Sequence, residues 1–378
     1  MQDKKIIIVG GGPIGLTAAL QLAKQGKFVT ILDSDKSKNN DGRVLAISYA
    51  SYTFLNQLGV WRDSLATKIN TVHISYEGLG VSKIKSSDVQ LDNLGFTIKY
   101  SDICNLLYEQ IKNYSNNIEI LKGFAKEIKS YKDYATISYN NINDHQILGQ
   151  LKADMLIIAE GGDIKFPDIE YNNFDYQQIA IIAQFKPQVP HKNIAYERFD
   201  KYGPMVLLPY NESYILVWSI QKDFALDIFN NNSLSEYLNN GFMKRFGEIK
   251  LSDDIYKFPL KLQVAKTRVL NKVVLVGNSA QTVHPISAQG MNLGLRDVQT
   301  LTNLLQYSDE NTVFESLNDY NKMRNNDVKL ITGFTHLLAR FLKSKLLFRD
   351  HLKGLGIIGL SNFPLLQNQI TNYLIFGI

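Results

Sequence analysis

Residues 6–15 read Ile6-Ile7-Ile8-Val9-Gly10-Gly11-Gly12-Pro13-Ile14-Gly15, and an uncharged stretch continues from there to Ala23. The apolar run predicts a buried parallel strand. The glycines have the spacing G-x-G-x-x-G, and a helix is predicted from about Ile14 to Lys24. A second apolar run, Phe28 to Leu32, predicts another strand. The chain therefore opens with a βαβ unit.

The glycine spacing is suited to binding a dinucleotide. Gly10 permits the tight turn, Gly12 lets the backbone approach a pyrophosphate, and Gly15 allows close packing of helix on strand. Asp33 follows Gly15 by 18 residues, where a carboxylate can accept hydrogen bonds from a ribose. The alternative is a loop that only packs a helix on a sheet. We predict a dinucleotide site, NAD or FAD, at Gly10, Gly12, Pro13, Ile14, Gly15 and Asp33.

A second cluster of motif residues lies between Gly277 and Asp297. A buried strand, Val273 to Val276, precedes a loop that contains Pro285, and a Gly-x-Asn sequence at Gly290 then opens a helix. A helix N-terminus aimed at the site stabilises an electron-rich ring or an anion. Glycine lets the backbone approach a planar ligand. The alternative is a capped loop with Asn292 as the N-cap.

Composition excludes several classes of protein. The chain has 378 residues, of which 45% are hydrophobic and 20% charged, so it is not disordered, collagen-like or a polytopic membrane protein. Its net charge of +5 is spread along the chain, and no nucleic-acid partner is predicted. The single cysteine, Cys104, forbids an internal disulfide and a multi-cysteine metal site. We predict no metal and a cytoplasmic location.

Taken in order along the chain, several motifs resemble the flavoprotein aromatic hydroxylases. The Gly-Asn-x-Ala-Gln-Thr-x-His-Pro form of residues 277–285 resembles, within that group, the FAD-dependent hydroxylases of ubiquinone biosynthesis. Five further elements match: Asp41–Ala46 (Asp-x-Arg-x-x-Ala), Leu55–Trp61, Asp175–Ala180, Glu197–Pro209 and Phe258–Leu260. The resemblance covers most of the chain.

The resemblance implies both the cofactors and the reaction. Such enzymes bind FAD, take electrons from NAD(P)H and react with O2, and a flavin C4a-hydroperoxide then hydroxylates a phenol ring. The cofactor carries this chemistry, while the protein positions and desolvates it. The implied function is a monooxygenase that hydroxylates a polyprenylphenol precursor of ubiquinone. A ubiquinone-biosynthesis protein complex is an implied partner.

By position, the resemblance also assigns site residues. Arg43 would contact flavin or phosphates, although a surface ion pair is the alternative. Asn278 stands where most relatives of the wider group carry an aspartate that binds ribitol or pyrophosphate. His284 is expected to be structural, and no catalytic base is identified. The residues expected to line the isoalloxazine are Pro285, Gln289, Gly290, Met291 and Asn292. Four sheet residues are candidates for lining the substrate pocket, with plain packing as the alternative: Met205, Leu207, Tyr210 and Trp218.

The expected fold class is α/β. A discontinuous Rossmann-like FAD-binding domain is predicted from residues 1–75, 100–170 and 266–330. An inserted antiparallel β-sheet substrate domain is predicted from residues 76–99 and 171–265. A C-terminal helical segment, residues 331–378, completes the chain. Its apolar residues recur at helical spacing beside basic ones, which suits either contact with an anionic membrane or docking on the FAD domain.

The chain departs from the wider group at residues 160–164. Those hydroxylases usually read Asp-Gly-x-x-Ser there, where this chain has Glu160 and Ile164, and Ala288 stands where glycine is commoner. Because this element is thought to serve both FAD and the nicotinamide donor, the identity of the reductant stays open. Two other readings remain: a flavin-binding, non-catalytic subunit of a biosynthetic complex, and a hydroxylase that acts on another aromatic substrate.

Overall fold

The computed structural model describes residues 5–34, 42–77, 80–140, 147–161, 166, 168–231, 233–252, 254–309, 311–343, 371–373 and 375–376. The strands of these residues are β1 (Ile6–Val9), β2 (Val29–Asp33), β3 (Val44–Ser48), β4 (Ala66–Ile69), β5 (Thr71–Tyr76), β6 (Gly80–Lys85), β7 (Gly95–Lys99), β8 (Ile118–Lys122), β9 (Phe124–Ser130), β10 (Ala135–Asn140), β11 (Ile147–Ala153), β12 (Met155–Ile158), β13 (Tyr171–Phe185), β14 (Ile194–Asp200), β15 (Gly203–Tyr210), β16 (Ser213–Gln221), β17 (Tyr256–Ala265), β18 (Val269–Leu270), β19 (Val273–Leu275) and β20 (Gln281–Thr282). The α-helices are α1 (Pro13–Lys24), α2 (Tyr49–Gln57), α3 (Tyr100–Ile111), α4 (Lys222–Asn230), α5 (Leu234–Leu238), α6 (Gly290–Gln306) and α7 (Val313–Lys343).

The first large sheet has six strands in the order β18-β19-β12-β1-β2-β8. All its pairs are parallel except β18 with β19. Strand β1 is buried along its whole length, which is why its sequence is an unbroken apolar run. Ile6 and Ile8 pack into the core beneath α1, α3 and α6. Ile7 and Val9 pack on the other side, under the antiparallel sheet β11-β10-β9.

The second large sheet has eight strands in the order β20-β17-β13-β16-β15-β14-β5-β6. Its pairs are antiparallel except β14 with β5. One face carries the core that packs against α4, α5 and residues 241–246. The other face packs against residues of β3, which belongs to a small antiparallel sheet, β3-β7-β4. The eight-stranded sheet is therefore covered on both faces.

The mixed α/β architecture predicted from the sequence is confirmed, with two differences in detail. Helices α4 and α5 interrupt a region expected to alternate as strands throughout. Strand β5, which the predicted boundary at residue 75 divides, lies whole in the eight-stranded sheet. The division into an FAD-binding domain and a substrate domain stays a prediction. Among the described residues, no helix is long and apolar enough to cross a membrane.

Candidate functional site

The glycine turn between β1 and α1 admits only glycine at two positions. Gly10 has a φ of +107°, and its N–H donates to the Leu32 carbonyl at 2.8 Å. A Cβ on Gly10 would lie 2.8 Å from the Ala159 carbonyl oxygen. A Cβ on Gly15 would lie 2.0 Å from the Gly10 carbonyl oxygen. The turn after β1 thus packs closely against Ala159, which follows β12, and against the first turn of α1, where the sequence predicted close packing at Gly15.

Gly12 lacks a side chain for a different reason. Its φ of −76° is open to any residue, and a Cβ there would have the Tyr100 hydroxyl oxygen as its nearest neighbour, at 3.4 Å. The space in front of Gly12 is therefore a cradle that a side chain would fill. Helix α1 begins at Pro13 with no side-chain cap on its first turn, so its N-terminus faces this cradle. These features fit a pyrophosphate held by backbone N–H groups.

Asp33 lies directly behind the turn. It is only 4% exposed, and a Cβ on Gly11 would lie 2.4 Å from its carboxyl carbon. The hydroxyl of Tyr108, on α3, donates to Asp33 Oδ2 at 2.8 Å. The ribose-binding candidate is thus positioned by a tyrosine that sequence reasoning did not find.

The two motifs, which lie more than 250 residues apart, meet at Ile14. Gly277 has a φ of +63°, and a Cβ there would lie 3.2 Å from the Ile14 side chain. A Cβ on Gly294 would lie 2.7 Å from Ile14 Cδ1. Asn278 is exposed beside this contact. The structure therefore brings Gly10, Gly12, Pro13, Ile14, Gly15, Asp33 and Asn278 to one end of the parallel sheet.

Arg43 reaches the same region through Tyr100. Its guanidinium carbon lies 4.6 Å from the centre of the Tyr100 ring, and the Tyr100 N–H donates to the Arg43 carbonyl at 2.9 Å. Since the Tyr100 hydroxyl is the group nearest to Gly12, this stacking holds the guanidinium beside the cradle. Asp41, the first residue of the same motif, lies outside the described residues.

Asn292 does not cap a helix, so the N-cap alternative is wrong. Helix α6 already begins at Gly290, and Asn292 instead links it to β3. Its Nδ2 donates to the carbonyls of Ala46 at 3.0 Å and Ala288 at 3.1 Å, while its Oδ1 accepts from the Ser48 N–H at 2.9 Å. This side chain fixes the distance between β3 and the loop that is expected to line the isoalloxazine.

That loop has mixed burial. Gln289 is buried, while Pro285, Gly290 and Met291 are partly exposed. Ala288 has a φ of +49°, a left-handed conformation that favours glycine. A glycine would adopt this conformation with less strain than Ala288 does.

Three of the four candidate pocket residues face the wrong side of the sheet. Met205, Leu207 and Trp218 pack into the core under α4 and α5, so these assignments are corrected to structural packing. Tyr210 lies on the opposite face, with Val44 and Ala46 of β3. The apolar layer on this face was missed, and it consists of Ile69, Val72, Ile182, Ala195, Val206, Leu208, Tyr210, Ile215 and Val217 together with Val44 and Ala46.

His284 is fully buried and structural in its contacts. Its Nδ1 accepts from the Ile286 N–H at 3.3 Å, so Nε2 carries the proton that it donates to Gln178 Oε1 at 3.1 Å. Its ring meets Tyr176 edge-on, with centroids 4.8 Å apart. Burial lowers the pKa of His284 to about 4, so the ring is neutral at physiological pH.

This burial predicts a pH dependence of stability. An unfolded histidine takes up its proton near pH 6.5, whereas the folded His284 stays neutral down to about pH 4. The contribution of the neutral His284 to the free energy of unfolding is therefore complete above pH 6.5 and is lost as the pH falls towards 4. Between pH 7 and pH 5 we expect the free energy of unfolding to drop by about 2 kcal/mol more in the wild type than in His284→Gln, measured by urea unfolding. Equal drops in the two proteins would contradict this assignment.

A buried charge network lies behind the Gly277 turn. Asp297 accepts from the Gly277 N–H at 2.9 Å and from Gln281 Nε2 at 2.6 Å, and its other oxygen accepts from Arg324 Nε at 2.7 Å. Arg324 also pairs with Asp327, which lies 3.6 Å from Arg296. Burial acts to lower the pKa of Arg324, but the carboxylates outweigh it and raise that pKa. The network holds the turn through α6 and α7.

The chain is similar over most of its length to several known proteins. The chain is 23% identical to ubiquinone hydroxylase UbiM of Neisseria meningitidis, over 98% of this chain and 84% of that protein. It is also 23% identical to 3-demethoxyubiquinol 3-hydroxylase of Escherichia coli, over 98% of each chain. The crystal structure of p-nitrophenol 4-monooxygenase from Pseudomonas putida matches with a TM-score of 0.81 at 16% identity, over 97% of both chains, and shows the shared fold.

The FAD binding domain family matches residues 3–112 and 163–335, which include both motifs that meet at Ile14. These two ranges span most of the chain. FAD is therefore the cofactor, and the chain belongs to the FAD binding domain family.

Proposed function

We propose that this protein is an FAD-dependent monooxygenase that hydroxylates the aromatic ring of a polyprenylphenol precursor in ubiquinone biosynthesis. O2 is the oxidant and NAD(P)H the electron donor. The observation that carries the proposal is the contact of the two turns at Ile14, together with the hydrogen bond by which Asn292 joins the second motif to Ala46 of the apolar layer. The names of the ubiquinone hydroxylases to which the chain is similar support the substrate class.

The residues of the chain divide the work of holding FAD. The backbone at Gly12 and the N-terminus of α1 hold the pyrophosphate, and Asp33 binds the adenosine ribose. Arg43 and Asn278 contact the phosphates or ribitol. Bound FAD supplies electron transfer from the donor to O2.

The apolar layer around Tyr210 packs against β3, which Asn292 joins to the loop expected to line the isoalloxazine, so we place the substrate ring next to this layer. Its members are hydrocarbon side chains apart from the Tyr210 hydroxyl, whose pKa is raised by burial and by Asp102. Such a layer excludes water and suits a phenol that carries a prenyl chain. His284 is fully buried and both of its ring nitrogens are engaged, by the Ile286 N–H and by Gln178 Oε1, so it has no free nitrogen to take a proton from the substrate.

A purified-enzyme experiment tests this proposal. Protein that carries FAD is reduced anaerobically with NADH or NADPH, and O2 uptake is then measured with and without a short-chain polyprenylphenol. We expect flavin reduction and a hydroxylated product with added mass of one oxygen atom. A flavin that is never reduced, in protein that binds the phenol, would instead favour the non-catalytic subunit. If the enzyme hydroxylates only a phenol that lacks a prenyl chain, the result would favour another aromatic substrate.

A polyprenyl substrate resides in a bilayer, so we propose peripheral membrane contact through the C-terminal segment. The backbone of α7 is helical to Lys343, and most residues beyond it lie outside the described residues. Replacing Lys343, Lys345, Arg349 and Lys353 by glutamine is expected to abolish flotation with phosphatidylglycerol liposomes, since each basic residue contributes about 1 kcal/mol near an anionic surface. A control removes four exposed lysines elsewhere, Lys68, Lys126, Lys257 and Lys261. Equal flotation of both variants would exclude this segment as the contact.

A further inference from the structure

We propose that a basic cavity binds a phosphate-bearing anion. It lies on the face of the eight-stranded sheet that also packs against α4 and α5. The cavity has a volume of about 340 Å3 and lies over strands β14, β5 and β6 at one edge of the sheet. Since a water molecule occupies about 30 Å3, there is room for a phosphate or a pyrophosphate group.

The strand register places the cavity away from the FAD site. His73 pairs with Lys83 on one side and with Tyr196 on the other, and Tyr196 pairs with Leu207. Residues of neighbouring strands that are paired in register lie on the same face of a sheet. Leu207 belongs to the core under α4 and α5, opposite the layer that contains Tyr210. An anion here is therefore distinct from the phosphates of FAD.

Positive charge converges on the cavity from two elements. Lys83 and Lys85 come from β6, and Arg245 comes from the short helical segment 241–246 that covers the sheet. None of the described residues that line the cavity is acidic. Three cations around a concave surface attract a multiply charged anion more strongly than three scattered ones do.

Aromatic rings hold the arginine in place. The Arg245 guanidinium carbon lies 4.4 Å from the ring centre of Phe242 and 5.8 Å from that of Tyr196. Stacking on rings orients the guanidinium without using its N–H donors. The donors stay available for the oxygens of an anion, to which guanidinium binds in a bidentate manner.

His73 supplies a second, independent sign of a ligand. Its Nδ1 is shielded from solvent and makes no hydrogen bond to any other described residue, although the peptide group of His73 itself lies close enough to oppose part of the fall in the pKa of the ring. Burial lowers the pKa of His73, and Arg245 and Lys83 lower it further, which reflects the positive potential in the cavity. A buried nitrogen without a partner is rare unless a ligand or a water molecule satisfies it.

The alternative is that the lysines only protect an exposed sheet edge. Edge strands often carry lysine to prevent pairing with another chain. This explains Lys83 and Lys85, but it explains neither the stacked Arg245 nor the half-buried His73.

The test uses FAD-loaded protein, so that pyrophosphate cannot enter the cofactor site. Titration calorimetry with inorganic pyrophosphate is expected to show one site in the wild type. Arg245→Gln should lower the affinity for pyrophosphate at least about tenfold, since a charge-assisted pair is lost. The double variant with Lys83→Gln and Lys85→Gln should lower this affinity by at least the same factor. The matched control is Lys261→Gln, an exposed lysine on β17 of the same sheet, which should change the affinity less than about twofold.

Equal affinities of Arg245→Gln and Lys261→Gln, or no binding by the wild type, would overturn the proposal. A second arm identifies the source of the anion. Monomeric phosphatidylglycerol with butyryl chains is titrated against the same variants. If it binds more tightly than pyrophosphate and is lost in Arg245→Gln, the ligand is a lipid headgroup. If only pyrophosphate binds, the ligand is a soluble phosphate compound.

Discussion

Replacing Gly12 by valine is expected to lower FAD affinity at least about a hundredfold while the cofactor-free protein stays folded. The backbone angles at Gly12 suit valine, and the cradle in front of it has room for the side chain. That side chain would occupy the space of the pyrophosphate and break at least two hydrogen bonds to a charged group. Each such bond contributes about 1.5–3 kcal/mol, and 1.4 kcal/mol corresponds to a factor of ten. Fluorescence titration of the apoprotein with FAD measures the loss.

Gly15→Ala is the contrasting control. A Cβ at Gly15 would lie 2.0 Å from the Gly10 carbonyl oxygen, so α1 cannot keep its place on β1. This variant should lose stability even without FAD, which urea unfolding of the two apoproteins would show. If Gly12→Val bound FAD normally, the pyrophosphate would not lie at Gly12. If it unfolded as readily as Gly15→Ala, the space in front of Gly12 would not be open to a side chain.

Replacing Arg324 by methionine is expected to destabilise the protein by about 3–5 kcal/mol, because it leaves buried carboxylates without their main partner. The Arg324 side chain is 5% exposed and bonds to both Asp297 and Asp327. Since Asp297 also accepts from the Gly277 N–H, FAD affinity should fall as well. Denaturant unfolding with and without FAD measures both effects.

The matched control for this variant is Lys322→Met on the exposed side of α7. It should change stability by no more than about 0.5 kcal/mol. A loss in Arg324→Met no larger than in this control would mean that the network contributes nothing to the fold. A large loss of stability with unchanged FAD affinity would separate the network from the Gly277 turn.

The sequence predicted those features of the site that depend on neighbouring residues along the chain. Gly10 and Gly15 have to be glycine because backbone atoms of Ala159 and of the turn itself fill the space of a Cβ. The strand that ends at Asp33 and the Gly277 turn are likewise local patterns, and each was predicted from its own stretch.

Features that depend on which surfaces meet were not predictable. Strand β15 is buried on both faces, so alternation along Met205–Tyr210 does not tell which face lies toward FAD. Three pocket residues were therefore assigned to the wrong face. Tyr108 belongs to α3, and no pattern in that helix indicates that its hydroxyl reaches Asp33. The network around Arg324 joins the Gly277 turn to two helices, and its charges read as surface residues in the sequence.

The most direct test of the account is mass spectrometry of quinone lipids from a strain that lacks this protein, grown with oxygen. The strain is complemented with the wild type or with Gly12→Val, whose apoprotein is expected to fold. We predict that ubiquinone falls and a prenylated precursor lacking one ring hydroxyl accumulates in the deletion and Gly12→Val strains, while the wild type restores ubiquinone. An unchanged quinone pool in the deletion strain would contradict the proposed substrate, and rescue by flavin-free Gly12→Val would contradict the proposed catalysis.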